Sequence, residues 1–161
     1  MAGLGRLTRR GYDWSDRYPR IVAAVAALLA SSATIDDEAV VCDAGGVASF
    51  DMLHSRQHDD RVILYAFDLL ELDGGDFRPQ PLHARKARLE KLLAKAPAGI
   101  EYNAHVEGDG QIVFEHACKL GLEGIVSKHR EHPYRSGRSK GWLKIKNPAA
   151  RGVMRFERED V

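Results

Sequence analysis

Residues 121–148 read GLEGIVSKHREHPYRSGRSKGWLKIKNP, two short apolar runs set among an unusual density of cationic side chains. Residues 122–128 and 142–146 have the length and the β-branched or aromatic content of strands, and the polar, Gly-containing stretch between them predicts a hairpin-like pair. Along the second run the side chains alternate, which turns Leu143 and Ile145 one way and Trp142, Lys144 and Lys146 the other. Two ammonium groups on one strand face repel each other, and by themselves they describe a solvated sheet face beside Trp142. Glu123 changes that reading. A carboxylate able to hold a divalent metal, close to two fixed cations, suits a triphosphate: the metal bridges its oxygens and the lysines neutralise charge that develops during phosphoryl or nucleotidyl transfer.

Glu123-Gly124-Ile125-Val126-Ser127-Lys128 and Trp142-Leu143-Lys144-Ile145-Lys146, with Tyr134-Arg135-Ser136-Gly137-Arg138-Ser139 between them, resemble the fourth and fifth nucleotidyltransferase motifs of ATP-dependent DNA ligases, in the form found in bacterial end-joining ligases. The resemblance implies ATP, carried forward as AMP, with Mg2+ or Mn2+, and nicked or broken double-stranded DNA as the partner. It gives Lys144, Lys146 and Glu123 catalytic places, Glu123 also a metal, and Lys128 a place at the nucleotide beside Lys144 and Lys146. Thr8-Arg9-Arg10-Gly11 matches a Thr-Arg-x-Gly turn whose first arginine meets the phosphate at the nick, so Arg9 takes that role; its planar fork suits a phosphate. Asp36-Asp37-Glu38 matches an Asp-Gly-Glu motif whose glutamate lies at the ribose and metal side, which gives Glu38 both roles. Asp37 replaces the motif's glycine and would be strained if a positive φ were required there. Tyr65-Ala66-Phe67-Asp68 matches Tyr-x-Phe-Asp, whose ring stacks on adenine; Phe67 takes that place, with Asp68 on the opposite side of the strand.

The family joins AMP to the lysine of a Lys-x-Asp-Gly motif, and none of the eight lysines here has that context. Lys144 and Lys146 cannot substitute, because an attacking amine must be neutral and in line with the α-phosphate. The expectation is therefore residues 1–148 as part of an adenylation domain lacking its N-terminal strands, with residues 149–161 leading toward an oligonucleotide-binding-fold domain. Three readings follow: a piece of a ligase, a remnant that only binds nucleotide or DNA, or half of a split enzyme whose other chain brings the lysine. An mRNA-capping guanylyltransferase fits less well, since Tyr65-Ala66-Phe67-Asp68-Leu69-Leu70 and residues 142–146 follow the DNA ligases.

The elements that must position these residues are legible in outline. Residues 12–31 predict a helix, capped by Asp13 or Ser15, with Pro19 in its first turn, Ile21, Val22, Val25, Leu28 and Leu29 at helical spacing and an alanine-rich outer face. Residues 34–42 and 47–50 predict a hairpin across Asp43-Ala44-Gly45-Gly46, and residues 61–72 a central strand closed by Asp73-Gly74-Gly75. Residues 82–96 predict a helix with Leu82, Leu89, Leu92 and Leu93 inward and its basic residues on a solvated face. An extended piece follows over 100–106, then a third helix that Asp109 caps and Gly121 ends. His54 and His58 stand four apart without a supporting acid or thiol, and read as surface residues. The fold class expected is α+β: a twisted, mainly antiparallel sheet with about three surface helices, a partial nucleotidyltransferase (ATP-grasp-like) ligase adenylation domain.

Composition bounds the rest. At 161 residues, 44% hydrophobic and 29% charged, the chain can bury a core, and a net charge of +1 leaves any DNA contact to local clusters such as residues 6–10 and 128–146. Two cysteines, Cys42 and Cys118, form no disulfide framework and point to a reducing cytoplasm. Residues 21–30 are too short to span a bilayer, so no membrane partner is expected. An exposed sheet edge predicts self-association or dependence on a partner chain.

Overall fold

The computed structural model describes residues 13, 15–137 and 139–150. After a 3-10 turn at Ser15–Arg17 come α1 (Pro19–Ala26), β1 (Ala33–Val40), α2 (Phe50–His54), a second 3-10 turn at Asp59–Arg61 and β2 (Ile63–Leu72). The chain continues through β3 (Gly75–Asp76), α3 (Leu82–Leu93), β4 (Ile100–Tyr102), α4 (Gly110–Lys119), β5 (Gly124–Lys128) and β6 (Trp142–Lys146). This is a mixed α/β fold with four α-helices among the described residues, and it departs from the single sheet expected. A four-stranded sheet has β2 at its centre, and β5 and β6 make a separate antiparallel pair. Three of the four strand pairings are antiparallel; β4 joins β2 in parallel.

β2 is the long apolar run 63–72, and it is paired on both sides because only a central position satisfies both edges of so hydrophobic a strand. The core lies where α1 and α3 cover it: Ile21, Ala24, Leu89 and Leu93 meet Val62, Leu64, Ala66 and Ile100. Gly99, at φ +130°, is required here, since a Cβ would lie 2.8 Å from both the Ala24 Cβ and the Arg20 carbonyl oxygen.

Several expectations are corrected. The first helix is Pro19–Ala26 rather than 12–31, its Ala24 is buried rather than outward, and Leu29 lies beyond its end, exposed. The 34–50 hairpin is reduced to one bridge, Cys42 to Ala48, because the Asp43 carboxylate accepts the amides of Gly45 and Val47 and Ser49 then caps α2. The α3 face read as solvated buries Arg85 and Lys86, while Leu143, read as facing a greasy side, is 61% exposed. Asp109 caps α4 as expected, its side chain accepting from the amides of Gln111 and Ile112, and Gly121 follows at φ +74°.

Candidate active site

Phe67 sits at an irregularity in β2. Against β1 the register runs Asp36 to Asp68 and then Asp37 to Ala66, so β1 skips Phe67, as it skips Leu70 beyond the paired Asp68 and Leu69. Such a bulge adds a residue to one strand and re-aims its neighbours. Asp37 makes the opposing step without a positive φ, so the aspartate in place of the motif's glycine carries no backbone penalty of that kind.

α3 clamps this irregularity. The Asp68 carboxylate accepts two hydrogen bonds from Arg85, Nε to Oδ1 at 2.8 Å and Nη2 to Oδ2 at 2.9 Å, with both side chains buried. Next along the helix, Lys86 Nζ donates to the Phe67 carbonyl at 3.3 Å and the Asn103 carbonyl at 3.0 Å. Arg85 Nη1 also donates to the His132 carbonyl at 3.2 Å, and the Leu82 and His83 amides donate to His132 and Arg130, each at 3.1 Å. Pro81 offers α3 no side-chain cap, so the β5–β6 connection satisfies the free amides of its first turn. The second sheet is thereby tied to the first.

That tie brings Lys128 to Phe67. The ammonium lies 4.6 Å from the Phe67 ring centroid and 3.9 Å from that of Trp142, its register partner. Tyr134 stands edge-on to Trp142 with centroids 6.0 Å apart. Burial pushes the Lys128 pKa below its ordinary value, against the upward pull of Asp68 and Asp36. Burial pushes the Asp36 carboxyl above its ordinary value, and Lys128 opposes that rise.

Lys144 pairs with Val126 and Lys146 with Gly124, so both share a sheet face with Lys128 and Trp142 and are exposed on it. Gly124 lies at φ +150°, where a Cβ would run into the Ile145 carbonyl, and the motif's glycine is thus fixed by the approach of β6. Glu123, exposed, immediately precedes β5; buried Asn147 ties this segment down, its amide donating to the Glu123 carbonyl at 2.8 Å and its Nδ2 to the Leu122 carbonyl at 2.9 Å. Glu38 is exposed on β1 opposite Tyr65. No three acidic, histidine or cysteine side chains gather as a metal site among the described residues. Arg9 lies outside the described residues.

Sequence reasoning missed Asp36, Arg85, Lys86, Tyr134 and Asn147. The acid at 68 within an apolar strand, with two adjacent cations on the following helix, was the available signal for a buried pair.

The family model described as the ATP-dependent DNA ligase domain matches residues 4–146. The chain belongs to that family. This ligase-family chain is 37% identical over 144 residues to the multifunctional non-homologous end joining protein LigD of Pseudomonas aeruginosa, covering 87% of this chain and 17% of that protein. It is 36% identical over 141 residues to LigD of Mycobacterium tuberculosis, covering 87% and 18%. Its structure is similar to that of a mycobacterial DNA ligase D complexed with ATP and MES, at a TM-score of 0.75 and 36% identity, over 86% of this chain and 46% of that one. The ligase-family chain thus spans less than a fifth of these LigD relatives and under half of the solved chain.

Proposed function

We propose that this chain works as part of the adenylation domain of an end-joining DNA ligase, binding ATP or AMP and supporting the formation of phosphodiester bonds at nicks. The observation that carries the reading is the placement of Lys128 against Phe67 and Trp142, in register with Lys144 and Lys146. A flat ring for a base and a row of cations for phosphates thereby adjoin one another. Lys128, held as a partly desolvated ammonium, gains from an anionic partner.

Glu38 and Glu123 are the residues proposed to hold Mg2+ or Mn2+. Hard oxygen donors fit such an ion, and Mg2+ needs only one or two protein carboxylates because substrate phosphates and water complete its shell. When bound, the ion supplies charge neutralisation at phosphate oxygens. In the joining step the 3′-oxygen bonds to the 5′-phosphorus as its bond to AMP breaks, AMP leaves with the bonding pair and the hydroxyl proton passes to solvent. Lys144 and Lys146 stabilise the departing phosphate, and Arg9 holds the nick. Since no Lys-x-Asp-Gly is present, the chain by itself does not take AMP from ATP.

The test uses two substrates with protein and magnesium, resolved on a denaturing gel. An adenylylated nick is sealed slowly and a plain nick with ATP is not. Sealing of the plain nick would refute the nucleophile argument, and failure on the adenylylated nick, equal to that of Glu123→Ala, would leave nucleotide binding alone.

A further inference from the structure

The Phe67 backbone has no register partner on β1, and it lies one residue beyond the β2–β4 ladder, which ends at Ala66 and Tyr102. Its carbonyl is instead met by Lys86, a side chain 7% exposed. The same ammonium bonds the Asn103 carbonyl, just past the end of β4, and lies 4.7 Å from the Tyr102 ring centroid. It therefore ties Phe67, where β2 bulges against β1, to the segment that follows β4. Burying an ammonium costs several kcal/mol unless its donors are used, so a helix would not place a lysine here merely to fill space. Methionine or leucine would pack the same volume without that cost.

We propose that Lys86 is a positioning residue that fixes the Phe67 ring by holding its carbonyl at the bulge, and so sets the affinity for the base rather than for the phosphates of the nucleotide. This rests on the reading of Phe67 as the base platform. Lys86 is buried and acts through the Phe67 backbone, two bonds from the Cβ that aims the ring. Lys144 and Lys146 belong to β6, on the other sheet, so loosening the bulge leaves these two phosphate-facing lysines in place.

Titration of the whole chain with Mg-ATP and, separately, with magnesium tripolyphosphate separates the two terms. Wild type binds ATP more tightly than tripolyphosphate. Lys86→Met loses roughly tenfold or more in ATP affinity, the scale of a lost hydrogen bond to a charged group, and keeps its tripolyphosphate affinity. Lys86→Arg, which retains a cationic donor, recovers part of the loss. Should Lys86→Met not fold, Lys86→Gln, too short to reach both carbonyls, is measured in its place. An unchanged ratio of ATP to tripolyphosphate affinity in a folded variant, or an equal loss of both, overturns the positioning role. A wild type with no preference for ATP over tripolyphosphate overturns the base platform itself, and the role of Lys86 with it.

Discussion

At Lys128 the electrostatics make a testable statement about pH. Burial lowers its pKa from the ordinary 10.5, so between the folded value and 10.5 the unfolded chain holds more protons than the native one. The penalty is present in full below the folded pKa and is relieved as pH rises toward 10.5. With Lys128 proposed as a phosphate contact, ATP binding is expected to run the other way, because the phosphates need the ammonium. ATP affinity therefore falls as pH rises through the lowered pKa of Lys128, and Lys128→Met abolishes that segment of the pH profile while lowering affinity at neutral pH; calorimetry across the alkaline range checks both. Asp36 gives the complementary signal. Its folded pKa is raised above 3.8, so its contribution to stability is fully present below 3.8 and is lost as pH rises through the folded value. Removing Lys128 raises that pKa further, which carboxyl NMR titration of Asp36 would show; a downward movement would contradict the pairing.

The elements depend on two contacts that spacing alone could not disclose. Arg85 and Asp68 form a buried, doubly hydrogen-bonded pair between α3 and β2, and Arg85→Leu leaves a buried carboxylate, a loss of about 3–5 kcal/mol by denaturant unfolding. Asp68→Leu combined with Arg85→Leu recovers much of it. Gly124→Ala places a methyl against the Ile145 carbonyl at a positive φ, and separates β5 from β6; amide exchange across that pair rises while β2 stays protected. Much of this architecture was readable: the capping aspartate before α4, the glycine after it and the long, largely apolar run of β2 each follow from one local rule. The burial of Arg85 and Lys86 was not, since helical periodicity assigns cations to the surface unless the opposing acid is known. Nor was the bulge at Phe67, because register belongs to a pair of strands and neither strand encodes it alone.

Across the whole molecule, the described surface carries exposed Leu29, Phe50, Val106, Ile112, Leu120, Val126 and Leu143. The chain should associate as concentration rises, with apparent mass by light scattering increasing and the melting temperature depending on concentration. No described helix is long and apolar enough to cross a membrane. The family motifs were legible as far as residue type and spacing go, and the structure adds that Phe67, Lys128 and Trp142 converge from two sheets. That convergence is the central claim, and titration of Mg-ATP into wild type, Phe67→Ala and Lys144→Ala, with and without a chelator, tests it most directly. Phe67→Ala should cost about 1–3 kcal/mol of binding, the worth of one base–aromatic stack, Lys144→Ala should weaken binding in a salt-dependent way, and chelation should weaken all three. Equal affinity in wild type and Phe67→Ala, with heats indifferent to Lys144→Ala, would contradict it.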